Sequence, residues 1–105
     1  MEPTQEQEVL ELERLRAQLL ELNHRLVDLL VERDEVVKLV AKRKKLDGID
    51  IVRPEVEALC IADIRAYAEE QGYSPEIACA IFHLILCRAY WLEIMHFQQK
   101  GETTS

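Results

Sequence analysis

The stretch that decides the fold runs from Leu12 to Lys45 and reads LERLRAQLLELNHRLVDLLVERDEVVKLVAKRKK. Its apolar residues recur at alternating steps of three and four, which is typical of one face of a long helix. They are Leu12, Leu15, Leu19, Leu22, Leu26, Leu29, Val36 and Val40. Because no proline or glycine occurs between Pro3 and Gly48, the pattern predicts a helix from about Gln5 to about Lys45, roughly 60 Å long at 1.5 Å per residue.

A helix of this length does not fit inside a compact monomer of this size, whose radius of gyration is about 13 Å. A leucine stripe is rarely left in water, so we expect a partner to cover it. The chain has 105 residues, is 49% hydrophobic and 31% charged, and contains three glycines and three prolines. It is therefore too apolar for intrinsic disorder and too poor in turn residues for an all-β fold. We predict one all-α domain over residues 1–105, with a core of about 10–97 and flexible ends, in an intertwined or side-by-side homodimer.

The charge balance and the cysteines exclude several classes of function. With 13 Lys+Arg against 20 Asp+Glu, the formal net charge of −7 argues against general nucleic-acid binding. Neither a secretory signal nor a run of about 18 apolar residues is recognised, so a cytoplasmic protein without a membrane span is expected. The cysteines lack the C-x-x-C spacing of zinc sites and are expected to be small buried hydrophobes. They are Cys60, Cys79 and Cys87.

Two more helices are predicted after the basic run Lys42–Lys45, most of which is expected to be a solvated helix end before Gly48. The second helix begins near Pro54 and ends at Gln71-Gly72-Tyr73. Its predicted inward face consists of Val56, Leu59, Cys60, Ile64 and Tyr67. The third helix begins with Ser74 as its cap and Pro75 in its first position. It is apolar nearly all round from Ile77 to Phe97, which predicts a buried helix followed by a frayed tail from Gln98.

Cations occur within the first helix at positions that point inward. Arg33 stands where the spacing requires an apolar residue, and Lys44 lies at almost the same angle around the helix. Arg16 lies roughly 100° away and is expected to face the partner subunit. Buried cations need internal carboxylates or a bound anion. Alternatively, Arg33 pairs with neighbouring glutamates at positions 32 or 35, or extends to the surface.

Glu93 is the exceptional charge of the third helix. It either pairs with one of the cations, or is protonated, or lines a cavity. The pair Glu93-x-x-His96 has the spacing of a di-iron ligand pair, but such a site needs a second copy. No activated nucleophile and no phosphate-binding loop is recognised. We therefore expect neither a metal nor a cofactor, and interpret the interior charges as a pocket for a small anion.

Taken in order, these features resemble the all-helical, AroQ-class chorismate mutases over roughly Leu12 to Glu93. The residues that carry the resemblance are Leu15-Arg16, Leu29-Leu30-Val31-Glu32-Arg33, Lys44, the loop from Asp50 to Glu55, and Ile81-Phe82-His83-Leu84-Ile85. The resemblance implies three-helix subunits in an intertwined homodimer. It also implies a Claisen rearrangement of the dicarboxylate chorismate to prephenate, without metal or cofactor, through positioned charges.

The resemblance also implies roles for individual residues. Arg33 binds a substrate carboxylate from its own subunit, and Arg16 reaches in from the partner. Lys44 contacts a carboxylate and the ether oxygen of the bond that breaks. Arg53 stands at the pocket mouth beside the ring carboxylate, and Asp50 lies near the substituent at C4 of the ring.

This chain departs from the family pattern at three positions. Glu93 stands where the family commonly has Gln, sometimes Glu, facing the ether oxygen. A carboxyl group donates a hydrogen bond there only when protonated, so we expect either a raised pKa of Glu93 or an activity that falls as pH rises. Pro54 replaces a Glu expected for the C4 hydroxyl, with Glu55 one place late, and Ala89 replaces a Ser one turn before Glu93.

These departures leave alternative functions open. A mutase for 4-amino-4-deoxychorismate fits the altered contacts at Pro54 and Glu93, and an isochorismate pyruvate-lyase is less favoured. A non-enzymatic helical dimerisation module remains as a further alternative. Lys44→Ala is expected to separate a module from an enzyme, because a residue near a helix end should matter little to folding.

Overall fold

In the computed structural model, the backbone is described for residues 2–103 and the side chains for residues 2–96. The described part of the chain folds into helices α1 (Gln5–Asp47), α2 (Pro54–Glu70) and α3 (Pro75–Thr103), and it contains no strand. The predicted all-α, three-helix class is therefore confirmed. The chain divides into two compact units, Met1–Arg33 and Asp34–Ser105, and α1 contributes to both.

Helix α1 begins and ends on local signals. Thr4 and Gln7 cap each other at its start: the Gln7 N–H donates to Thr4 Oγ1 at 3.2 Å, and the Thr4 N–H donates to Gln7 Oε1 at 2.9 Å. At its end, Gly48 has a φ of 67°, a left-handed conformation that favours glycine. The Ile49 N–H then closes the last turn onto the Lys44 carbonyl at 2.8 Å. These caps explain why the predicted start at Gln5 is correct and why the helix stops just beyond Lys45.

The first unit presents its apolar residues to solvent. The leucines of the predicted stripe from Leu12 to Leu29 are between 46% and 60% exposed. Nothing in the described chain covers them, although burying such side chains is worth about 1.5–3 kcal/mol each.

In the second unit, α2 and α3 pack against each other. The inward stripe of α2 lies on a different part of the helix from the predicted one. It consists of Glu57, Cys60, Ile61, Ile64 and Ala68. The prediction was right for Cys60 and Ile64 and wrong for Val56, Leu59 and Tyr67, which are exposed in the described chain. Since a helix turns about 100° per residue, packing selects between adjacent faces that the apolar pattern alone leaves nearly equal.

Helix α3 begins as predicted, because the Ile77 N–H donates to the Ser74 side chain at 3.3 Å. It is not buried all round, however, so that part of the prediction was wrong. One face is buried, and the other carries large exposed residues. The exposed set is Ile77, Ile81, Leu84, Trp91 and Ile94. The backbone also remains helical to Thr103, past the expected frayed tail.

Within the described residues, one segment, Pro75–His96, is long and apolar enough to cross a membrane by length and composition alone. The sequence analysis did not recognise this run as a candidate. The core helix of a soluble protein has the same composition, and this segment packs on α2 and carries the buried Glu93. It is therefore weak evidence for a membrane span.

The part of α1 in the second unit buries Val37 and Ala41 and leaves Val36 and Val40 exposed. Asp34 connects this part to α3, since its carboxylate pairs with Arg88 at 3.2 Å.

The cysteines follow the prediction only in part, with Cys79 buried, Cys60 half-buried and Cys87 exposed. The expectation that all three are buried was wrong for Cys87, which lies on the outer face of α3.

Candidate active site

A buried ion pair joins the end of α1 to α3. Lys44 Nζ lies 2.9 Å from Glu93 Oε1 and donates to the Ile51 carbonyl at 2.9 Å. The two side chains are only 18% and 4% exposed, respectively. An ammonium group has three N–H donors, so these two contacts leave one for an anionic oxygen. The pair therefore combines a held cation with an unused donor.

The sequence left three states open for Glu93: paired with a cation, protonated, or lining a cavity. In the structure it is paired with a cation. An ionised carboxylate only accepts hydrogen bonds, so in this pair Glu93 is the acceptor and Lys44 the donor. Removing one member of such a pair leaves a buried charge without its counterion. From this pairing we expect Lys44 to contribute to folding, which differs from the expectation drawn from its place near a helix end.

A second polar contact lies between α2 and α3. The Tyr90 hydroxyl donates to Glu57 Oε2 at 3.0 Å, and both side chains are half-buried. Tyr90 precedes Glu93 by three residues, so both lie on the same side of α3. Burial, the hydrogen bond to Glu57 and the nearby negative charges of Glu57, Glu93 and Cys60 raise the pKa of Tyr90 to about 12. Tyr90 therefore stays protonated and acts as a donor at neutral pH.

The loop before α2 places its predicted site residues at the surface. Asp50, Arg53 and Pro54 are exposed, and Arg53 Nε pairs with Glu55 Oε1 at 3.2 Å in an equally exposed contact. Among the described residues of the loop, Ile51 is the one that contacts the Lys44 side chain, through its carbonyl oxygen. The structure thus does not bring Arg53 or Asp50 into the Lys44–Glu93 pair.

The remaining predicted residues differ in their surroundings. Ala89 is buried one turn before Glu93, as the sequence order implied. Arg16 is exposed and Arg33 is half-buried. Neither arginine forms an ion pair or hydrogen bond with any side chain in residues 2–96, and Glu35 pairs instead with Lys38 at 3.0 Å. The alternative in which Arg33 pairs with Glu35 is therefore not observed.

The described side chains contain no group of three or more His, Cys, Asp or Glu arranged to hold a metal ion. Glu93 is taken up by Lys44, and His96 Nε2 is buried without a hydrogen-bond partner within the same described range. Of the Glu93-x-x-His96 spacing, Glu93 is therefore paired with a cation.

The contact between Glu57 and Tyr90 was not expected from the sequence. The spacing of inward positions along α2 did indicate Glu57. Ala68, Ile64 and Ile61 are separated by steps of four and three, and a further step of four leads to position 57. No comparable pattern distinguished Tyr90, which stands in a run of apolar and aromatic residues. Its role follows from its contact with Glu57.

Residues 15–93 match the family model of chorismate mutase type II. The matched range covers most of the chain and includes Arg16, Arg33, Lys44, Glu57 and Glu93. The chain therefore belongs to the chorismate mutase type II family, whose members are isomerases that act on chorismate.

Proposed function

We propose that this protein rearranges chorismate itself to prephenate, in a cofactor-free pocket built around Lys44. The observation that carries the proposal is the buried Lys44–Glu93 pair with its unused N–H donor. A Claisen rearrangement needs no nucleophile. It needs a folded substrate conformer and a positive group beside the oxygen on which charge develops. A lysine held by a carboxylate and a carbonyl is positioned to supply that group.

In this proposal, Lys44 and Glu93 both form hydrogen bonds to the ether oxygen. Lys44 contacts a substrate carboxylate and the ether oxygen, which requires two donors, so one of its present contacts is exchanged when substrate binds. Glu93 faces the same oxygen and donates a hydrogen bond to it when protonated. Release of Glu93 from Lys44 and its protonation are then coupled to substrate binding.

Glu57 is the proposed acceptor for the substituent at C4 of the ring. The resemblance assigned this part of the substrate to Asp50 and Pro54, but both are exposed on the loop and at the start of α2. Glu57 is the half-buried carboxylate of α2, and it is attached to α3 through Tyr90. The position of Arg53 on the surface is compatible with a place at the pocket mouth.

The family resemblance suggests the proposed roles of Arg16 and Arg33 and the proposed homodimer. We expect Arg33 to bind a substrate carboxylate and Arg16 to come from the partner subunit, which gives two sites per dimer. The exposed leucines from Leu12 to Leu29 support a partner, since they form a continuous apolar stripe. The half-buried guanidinium of Arg33, without a carboxylate among the described residues, supports an anionic ligand. We expect the enzyme in the cytoplasm.

A second candidate substrate is 4-amino-4-deoxychorismate. Glu93 pairs with Lys44, whereas the half-buried Glu57 accepts a hydrogen bond from the neutral Tyr90 and pairs with no cation among residues 2–96. This local excess of negative charge favours an ammonium group at C4 over a neutral hydroxyl.

Turnover of chorismate, 4-amino-4-deoxychorismate and isochorismate by the purified protein tests the proposal. Prephenate from chorismate supports it, preference for the amino compound supports the alternative, and pyruvate release from isochorismate supports a lyase. No product from any of the three contradicts an enzymatic role and favours a dimerisation module.

Lys44→Ala tests the residue on which the proposal rests. Loss of one positioned donor should lower kcat on the order of a hundredfold to a thousandfold. Lys42→Ala is the matched control, because Lys42 is an exposed lysine half a turn away on the same helix. Equal activity of the two variants would contradict the role of Lys44.

A further inference from the structure

Tyr90 lies at the α2–α3 contact, bonded to one carboxylate and one helical turn from another. Its hydroxyl donates to Glu57 on α2, and on its own helix it stands one turn before Glu93. From the 3.0 Å hydrogen bond and this placement, we propose that Tyr90 is a positioning residue that orients Glu57 and so restricts the ring substituents that the site accepts. The proposal rests on the proposed function and adds a specificity determinant to it.

The hydrogen bond gives the two carboxylate oxygens of Glu57 different surroundings. Oε2 accepts from Tyr90, which leaves Oε1 for another partner. A glutamate side chain has three rotatable bonds, and ordering it on substrate binding costs free energy. Tyr90 holds the carboxylate in one orientation before substrate arrives, which is the general route by which a preorganised group binds more tightly.

The direction of this hydrogen bond determines the selectivity. The pKa of Tyr90 is raised to about 12, so its hydroxyl keeps its proton and donates throughout the neutral range. Glu57 therefore presents an acceptor to the substrate. A hydroxyl or ammonium at C4 satisfies this acceptor, whereas a hydrogen or a methoxy group leaves it without a partner. Sites built around a buried hydrogen-bonding group reject analogues that cannot pair with it.

The simpler interpretation is that Tyr90 only joins α2 to α3. A purely structural bond predicts lower stability of Tyr90→Phe with unchanged substrate preference. A positioning role predicts a changed preference between substrates with and without a donor at C4. The ratio of two kcat/KM values separates these interpretations, because lower stability affects both substrates equally.

The experiment measures kcat/KM for chorismate and for its analogue lacking the C4 hydroxyl, using the full-length protein. We expect Tyr90→Phe to reduce the ratio of the two values roughly tenfold, the size of one hydrogen bond to a charged group. Tyr67→Phe is the matched control, since Tyr67 is an exposed tyrosine of α2, and it should leave the ratio unchanged. Circular dichroism and thermal unfolding show whether each variant is folded.

A double-mutant cycle with Glu57→Gln tests whether Tyr90 acts through Glu57. Once Glu57 is replaced, Tyr90→Phe should have no further effect on the ratio. Independent effects of the two substitutions, or an unchanged ratio in Tyr90→Phe, overturn the inference. If Tyr90→Phe does not fold, Glu57→Gln alone decides, since an unchanged ratio in that variant equally overturns it.

The failure of the proposed function is distinguishable from the failure of this inference. A wild-type protein that converts none of the substrates contradicts the proposed function and this inference together. A wild-type protein that converts chorismate, with a ratio unaffected by Tyr90→Phe, contradicts only the role of Tyr90.

Discussion

Lys44 and Glu93 form a pair that burial makes costly. Removing two charges from water is repaid only when their geometry is good and their other hydrogen-bonding groups are satisfied. Here the Ile51 carbonyl takes one further proton of Lys44. A pair of apolar side chains of similar size would stabilise the folded state as much or more. This energetic argument is consistent with the binding and catalytic role proposed for the pair.

Replacement of Lys44 should affect folding as well as activity. Lys44→Met leaves the buried Glu93 carboxylate without its counterion, so we expect a loss of about 3 kcal/mol in the free energy of unfolding. Urea denaturation of Lys44→Met and of the double variant Lys44→Met/Glu93→Leu checks this. The double variant should recover most of the loss. A double variant no more stable than Lys44→Met would mean that the pair is not the cause.

The pH profile depends on which state of Glu93 is active. If a protonated Glu93 donates to the ether oxygen, kcat/KM falls as pH rises from about 5 to about 8. Glu93→Gln donates through its amide at every pH, so its profile should be flat over that range. Steady-state assays of both proteins across the range provide the measurement. A wild-type profile as flat as that of Glu93→Gln rules out the proton of Glu93 as a requirement.

Tyr90 should make stability depend on pH only in the alkaline range. Its pKa is raised from 10.0 to about 12 in the folded chain, so folding favours its protonated form. The stabilisation is fully present below pH 10.0, the unfolded value, and is lost as pH rises through about 12. Absorbance titration of tyrosinate in the wild type and Tyr90→Phe checks this. The variant should lack the tyrosine that ionises last, and an identical late phase in both proteins would contradict the assignment.

At the scale of the elements, the helix ends are determined by short local signals. Gly48 and Gly72 both have positive φ, at 67° and 72°, and each follows the last turn of a helix. Pro54 and Pro75 stand at the starts of α2 and α3. These residues act through backbone conformation over a few positions, which explains why their consequences were predictable without knowledge of the packing.

Gly48 is required for its conformation, since a Cβ added there would meet no atom within 4 Å. We expect Gly48→Ala to lower the free energy of unfolding by about 1 kcal/mol, because non-glycine residues are strained in the left-handed region. Gly48→Asn should cost less, since Asn tolerates that region better. Urea denaturation of both variants measures the difference. Equal stability of Gly48→Ala and wild type would show that the loop relaxes to another conformation.

At the scale of the whole molecule, we expect a partner to cover the exposed leucines. A homodimer that covers the stripe from Leu12 to Leu29 would remove this surface from water, and charged residues in the stripe should prevent it. We expect Leu19→Arg to shift the protein from dimer to monomer in sedimentation velocity. Gln18→Arg, a neighbouring exposed residue, is the control and should leave the dimer intact. A wild-type protein that sediments as a monomer at micromolar concentration contradicts the dimer.

Sequence alone determined the three helices and indicated which charged residues stand within apolar patterns. The positions of Gly48, Pro54 and Ser74-Pro75 defined the helix ends through local geometry, and Arg33, Lys44 and Glu93 were recognisable as charges within apolar patterns. Such features depend on neighbours within about four residues, so one chain is enough to detect them.

Only the tertiary structure decided which face of α2 packs inward and which residues meet across the helices. Adjacent faces of α2 differ by about 100° and have similar apolar content, so packing against α3 determines which of them is buried. That choice buried Glu57 against Tyr90 and left Asp50 and Arg53 exposed at the surface. Contacts between residues distant in the chain depend on how whole surfaces fit together, and that fit is a property of the packed molecule.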